Sequence, residues 1–375
     1  MKILTIGGAT QDIFLHCKEG ADILRLTKKH FEEDFMIFKT GEKIEIDDLI
    51  YQTGGGATNS AVSFQKLGFT TSCFCKIGND FAGITIKNIL KKESIDASNI
   101  ITSKEHPSGV SFIINTPEGE RTIFAFRGAN GFIQKNELPL KAIQNSDLTY
   151  ITSLSHKSSE LLPEIVKHAK KNKVFVAINP GTSQLTEGVE TLRDSLKCVD
   201  ILILNSSEAK TLMFSLAKSD FNYHKVLDSL KKSYQPQKIS PLLNKPNLLN
   251  TTIMHEDLYF NLKCFFKESL KLGPKIVVVT DGEKGVYVAT KNEVFYHPSI
   301  KTKVVNTLGA GDAFGSAFVG LFVKTKDISK SLIGGIINSS SVIGKMGAKQ
   351  GLLKLEQIET RLKKIEKSNL QRQAL

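Results

Sequence analysis

The residues best suited to chemistry lie in NTLGAGDAFGSAFVG at 306–320. Gly309, Ala310 and Gly311 precede an acid, Asp312, where an apolar helical stretch begins (Ala313, Ala317, Phe318, Leu321). Small residues leave the backbone N–H groups unobstructed. Those unpaired donors, with the positive end of the helix dipole, can cradle a phosphoryl group. Asp312 would lie beside that cradle and could accept the proton of a hydroxyl as it attacks phosphorus. The bland alternative is a Gly-rich turn with Asp312 as a helix cap. A second loop, opening the stretch QTGGGATNSAVSFQKLGFTTSCFCKIGNDFAG at 52–83, again joins glycines to a helix start, with Asn59 one turn in. It lacks the Lys-Ser/Thr ending of a Walker A loop, so recognition of a polyol by amides is the better reading.

Elements that could position these loops alternate along the chain. KILTIG, SCFCKIG, LTYIT, KVFVAIN, DILILN and KIVVVTDG read as buried strands with helical stretches between most of them. The expected fold is therefore α/β, a mainly parallel sheet sandwiched by helices. In the helix after the second loop, Ala57, Ala61, Phe64 and Leu67 form one apolar stripe, and Gly68 suits its C-terminal cap. Segments 35–51 and 109–126 carry β-type sequence with turn signals and no intervening helix, which predicts a small antiparallel lid over the site. Residues 216–265, with Pro236, Pro241 and Pro246, read as an inserted surface excursion. The expected organisation is one domain over 1–354, followed by an amphipathic helix and frayed tail at 355–375.

Composition excludes several classes. Hydrophobic residues at 41% and charged residues at 23% argue against a disordered or disulfide-stapled chain. No apolar run approaches the ~20 residues that cross a bilayer, so a cytoplasmic protein without membrane association is expected. The five cysteines are scattered and read as reduced core thiols, not a zinc site. The net charge of +12 is spread along the chain, with lysine pairs from 28–29 to 363–364. That disfavours a nucleic-acid stripe and suits a solvated surface that attracts polyanionic small molecules.

The two loops together resemble the two signature patterns of the ribokinase-like (pfkB) family of carbohydrate and nucleoside kinases. The first matches in its GGxxxN core, in Gly68 and in IGND-FAG; the second matches in GAGDAF. The likeness continues in IGGATQDIF at the N-terminus, ERTIFAFRGAN at 120–130, LNSSEA at 204–209 and TDGEKGVYV at 280–288. The resemblance implies a ribokinase-like fold and an ATP-dependent, Mg²⁺-requiring kinase that phosphorylates an alcohol of a sugar or sugar-like molecule. It implies Asp312 as catalytic base and the amides of Gly309, Ala310 and Gly311 as the anion hole. Asp12, Gly55, Gly56 and Asn59 would hold acceptor hydroxyls. Asn205 would organise phosphate, Glu208 the water shell of Mg²⁺, and Thr280, Gly282 and Gly285 the nucleotide. Asn338 would line the adenine pocket, and Arg127 and Asn130 would reach the site from the lid.

Plainer readings stand beside these: a turn acid for Asp12, a helix cap and first-turn acid for Asn205 and Glu208, and a hairpin turn for the Thr280 segment. Asn306 stands where family members usually carry an acid of a monovalent-cation site, which puts potassium activation in doubt. The rival functions are a nucleoside kinase of the same fold and a catalytically silent sugar or nucleotide sensor. The acceptor's identity is open, as is oligomeric state, with a homodimer compatible with the sequence.

Overall fold

The computed structural model describes residues 1–16, 22–28, 31–115, 121–219, 249, 253–255, 258–365 and 369–375. Leu148–Ile151 is buried at every position, as are the first four residues of Ile201–Asn205 and Ile276–Thr280. Strands apolar on both sides belong in the middle of a covered sheet. They lie in a nine-stranded sheet whose order is Gln371–Ala374, Glu293–His297, Val286–Ala289, Ile276–Thr280, Ile201–Asn205, Phe175–Ile178, Leu148–Ile151, Lys2–Ile6 and Thr70–Phe74. From Ile276–Thr280 to Thr70–Phe74 neighbours run parallel; the three strands beyond Ile276–Thr280 are antiparallel.

Helices cover both faces. On one, Leu162–Lys171, Ser206–Ser219 and Leu262–Lys271 bury Ile165, Leu212, Met213 and Phe265 against the sheet. On the other, Gly56–Lys66, Ala310–Thr325 and Ile328–Ile343 bury Phe64, Phe314, Phe318 and Ile336 around Tyr150. The first helix on this face ends at Leu67, with Gly68 at φ +84°, as its apolar stripe predicts. The carboxyl ends of the parallel strands bring the turns after Ile6, Ile151, Ile178, Asn205 and Thr280 to one edge, where ligands bind in open sheets of this class.

A separate four-stranded sheet, ordered Arg121–Phe126, Gly109–Asn115, Thr10–His16 and Asp48–Gly54, projects beside that edge. It differs from the expected lid in two respects. Thr10–His16 is one of its two inner strands and pairs parallel with the other, Gly109–Asn115, so the sheet is mixed, and segment 35–51 is divided between this sheet and a hairpin of Asp22–Lys28 with Phe31–Ile37. The C-terminus also differs from the frayed tail expected. After the helix Leu355–Leu362, Gln371–Ala374 adds a strand to the main sheet, where Arg372 grips Glu293 at 2.9 and 3.0 Å and stacks over Phe295. Most of segment 216–265 lies outside the described residues. Among the described residues, no helix is long and apolar enough to cross a membrane.

Candidate active site

The first Gly-rich loop works by close approach. Gly55 precedes the helix Gly56–Lys66 at φ +92°, and a Cβ there would collide with the Gly8 carbonyl oxygen. Contact this tight lets the Ala57 amide donate to Gly8 at 3.1 Å and anchors the helix on the turn after the first strand. Gly56 abuts Thr152, and Gly54 lies directly against the Asp12 carboxylate. One turn in, Asn59 is 5% exposed, and its Nδ2 donates to Asp312 Oδ2 at 2.8 Å. Its Oδ1 is buried without a partner among the described residues, so it retains an acceptor for a hydroxyl.

The second loop works by openness. Gly309 takes the left-handed conformation, φ +76°, before the helix Ala310–Thr325, and its α-carbon rests on Ala348. The Ala310 amide donates to the Thr307 carbonyl at 3.3 Å. Among the described residues, the amides of Gly309, Gly311 and Asp312 have no acceptor, so open donors flank Ala310 and continue to Asp312. A Cβ at Gly311 would meet nothing within 4 Å. Burial pushes the pKa of the neighbouring Asp312 carboxyl up; Asn59 and Lys349 oppose that rise, and Asp12 adds to it.

Asp12, 4% exposed, accepts from Thr10 Oγ1 at 2.8 Å and lies opposite Gln52 and Ser111 in the lid register. Burial raises its pKa, countered by Thr10, Lys349 and Ser111. Lys349, absent from the sequence reading, is a site residue. Its ammonium donates to the Thr53 carbonyl and, at 3.1 Å, to Thr53 Oγ1. Burial drives it down to about 8, with Asp12 and Asp312 holding it up. Its only sequence mark is a lysine set between Gly347 and Gly351, both of positive φ.

At the start of the helix Ser206–Ser219, Asn205 and Glu208 form a reciprocal cap. The Asn205 amide donates to Glu208 Oε2 and the Glu208 amide to Asn205 Oδ1, both at 2.8 Å. Glu208 nonetheless senses the other acid: burial, and then the negative charge of Asp312, push its carboxyl up, against the hydrogen bonds of Asn205 and Asn179. Asn179, also missed in the sequence, is held by the Ile203 carbonyl at 3.0 Å. Thr280 ends its strand, Gly282 sits open at φ +54°, and Gly285 packs against the His297 carbonyl.

Three expected residues sit elsewhere. Asn338 is fully buried, its amide spent on Ala313, Ser63 and Leu353, so it joins two helices and the following loop without facing a nucleotide. Its helix neighbours Ile337, Ser340 and Ser341 do line a groove of about 360 Å³, with Ile300, Thr302 and Arg361. Asn130, 4% exposed, staples both polar groups of Ala9 and the Arg127 carbonyl. Arg127 lines another cavity, of about 710 Å³, with His106, Phe132 and His156. Asn306 is buried, its side chain accepting from the Leu308 amide at 2.7 Å and turned toward Met346 Sδ.

The chain is similar to known proteins over most of its length. The chain is 25% identical over 323 residues to a ribokinase of Staphylococcus aureus (strain COL), covering 85% of this chain and 91% of that protein. It is 25% identical to a 5-dehydro-2-deoxygluconokinase of Bacillus subtilis (strain 168), covering 82% and 85%. A structure of Arabidopsis thaliana ribokinase complexed with ribose and ATP matches with a TM-score of 0.71 at 19% identity, over 96% of this chain and 98% of that one. A nucleoside kinase of Methanocaldococcus jannaschii matches with a TM-score of 0.68 at 20% identity, over 97% and 98%. The pattern described as "pfkB family carbohydrate kinase" matches residues 26–239 and 261–355. The chain therefore belongs to the pfkB family of carbohydrate kinases and is an ATP-dependent carbohydrate kinase.

Proposed function

We propose that the enzyme transfers the γ-phosphoryl group of ATP to a hydroxyl of a sugar or sugar-like molecule, with Asp312 as general base. The observation that carries this reading is the 2.8 Å bond from Asn59 to Asp312, which joins the two Gly-rich loops at a carboxylate beside unobstructed amides. Asp12 and the unpartnered Asn59 Oδ1 present acceptors to substrate hydroxyls. As the acceptor oxygen bonds to phosphorus, its proton passes to Asp312 and the bond to the departing ADP oxygen breaks; the amides of Gly309, Gly311 and Asp312 stabilise the equatorial charge.

Thr280, Gly282, Gly285 and Asn205 border the nucleotide's phosphates in this reading, and the groove at Ile337 and Ser340 takes the base. Among the described residues no cluster of three acidic, His or Cys ligands forms a metal cage. That suits Mg²⁺, which arrives with nucleotide phosphates and needs few carboxylates, here Glu208 through water. Its charge would lower the cost of bringing phosphates beside Asp312. On the lid, Phe124, Phe112, Ile13 and Tyr51 form one cross-strand row with Tyr51 59% exposed, which supports a homodimer covering that face.

Asp312→Asn tests the assignment. Asn caps helices as well as Asp, so melting temperature should hold, whereas kcat should fall about 10²- to 10⁴-fold with nucleotide affinity little changed. Normal turnover by the folded variant would leave Asp312 as a mere cap.

A further inference from the structure

The segment 346–349 touches both halves of the site. Gln52 Nε2 donates to the Met346 carbonyl at 3.4 Å, and Ala348 lies against Gly309, the residue before the Asp312 helix. Lys349, next in the chain, places its ammonium on Thr53. Thr53 stands between Gln52, the register partner of Asp12, and Gly54, whose α-carbon abuts the Asp12 carboxylate. One cation is thus held on the strand that pairs with Asp12, next in the chain to the residue that abuts the start of the Asp312 helix.

That placement answers an electrostatic difficulty. Asp12 and Asp312 are both desolvated, and the charge of Asp12 disfavours that of Asp312. Two such carboxylates tend to share a proton, and a protonated Asp312 cannot accept one from a substrate. We propose that Lys349 is a positioning residue for phosphoryl transfer, its ammonium clamped on Thr53 so that Asp12 and Asp312 are ionised at the same time. The inference rests on the kinase reading for its consequence, though not for its electrostatics.

The groups that bear on Lys349 come from four elements: Asp12 from the lid, Asp312 from the helix Ala310–Thr325, Cys73 from the strand Thr70–Phe74, and Glu93 from the end of the helix Phe81–Lys92. All four favour its charged form, against burial that lowers its pKa to about 8. The charge matters most at the acidic end of the range, where Asp312 would otherwise hold a proton; above about 8 the clamp is neutral and the carboxylates are ionised without it.

The test uses the full-length chain with Lys349→Met and Lys349→Arg. Lys349→Met should move the acidic limb of the pH–kcat profile upward by about one pH unit, so that activity recovers in part at higher pH. Lys349→Arg should keep the wild-type acidic limb, because guanidinium preserves the positive charge. A uniform loss at every pH in Lys349→Met, or an acidic limb that moves as far in Lys349→Arg as in Lys349→Met, overturns the proposal. In parallel, ¹³C NMR titration of the Asp312 carboxyl, assigned with Asp312→Asn, needs no turnover. An upward shift in Lys349→Met supports the proposal, and an unchanged midpoint sinks it. A wild-type protein inactive toward all acceptors would instead count against the kinase reading.

Discussion

The two Gly-rich helix starts look alike in sequence and differ in what their glycines permit. At Gly54–Gly56 the space a side chain would fill is already taken, by the Asp12 carboxylate, the Gly8 carbonyl and Thr152. At Gly311 it is empty. The first loop spends its glycines on bringing backbone against backbone, which sets Asn59 beside Asp312; the second spends one on leaving room for something outside the chain. A glycine in a phosphate-binding family therefore reports on function only when its missing Cβ faces open space.

The largest effect should come from Gly55→Ala, which adds a Cβ against Gly8 at a φ of +92°. The combined strain and clash should cost about 3 kcal/mol or more, read as a lowered urea midpoint or loss of soluble protein. Gly311→Ala should do the opposite to stability, leaving it within about 1 kcal/mol of wild type because alanine favours the helix. Its methyl group would intrude on the anion space, so kcat should fall roughly 10²-fold or more. If Gly311→Ala were unstable and Gly55→Ala merely inactive, the contrast between the loops would be reversed.

A smaller effect is expected beyond both loops. The prolines and polar, basic composition of the insertion suit a surface excursion, but Leu249 is 2% exposed and belongs to the core. Replacing residues 222–246 with a short Gly/Ser linker, and keeping Leu249, should leave kcat within about tenfold, a change of ~1.4 kcal/mol in the barrier. Steady-state kinetics on the folded deletion check this, and an inactive but folded product would place the segment in the site.

What the sequence made legible was local. The buried strands announce themselves by unbroken apolar runs, and the helix after the first loop by its stripe and Gly68, because strand and helix periods are written in neighbouring residues. Pairing is not. Asp12 reads as a turn acid after a strand, yet it sits within Thr10–His16, an inner strand of the lid, a fact that depends on partners at 48–54 and 109–115. Asn338 shows how fine the limit is. It lies one residue from Ile337 and two from Ser340, which line the groove, but a helix turns 100° per residue and its amide faces the core. Lys349 carries no motif; only long-range packing brings a surface-type residue within the field of two acids.

The central claim is that both loops build a single phosphoryl-transfer site around Asp312. It is tested most directly by following ADP release and phosphorylated product together, with MgATP and a panel of pentoses, hexoses, sugar acids, sugar phosphates and nucleosides, for the wild type and Asp312→Asn. The account predicts that at least one hydroxyl-bearing acceptor yields equal amounts of ADP and phosphorylated product in the wild type, and about 10²-fold less of both in the variant. ADP release without product, or equal turnover by both proteins, would contradict it.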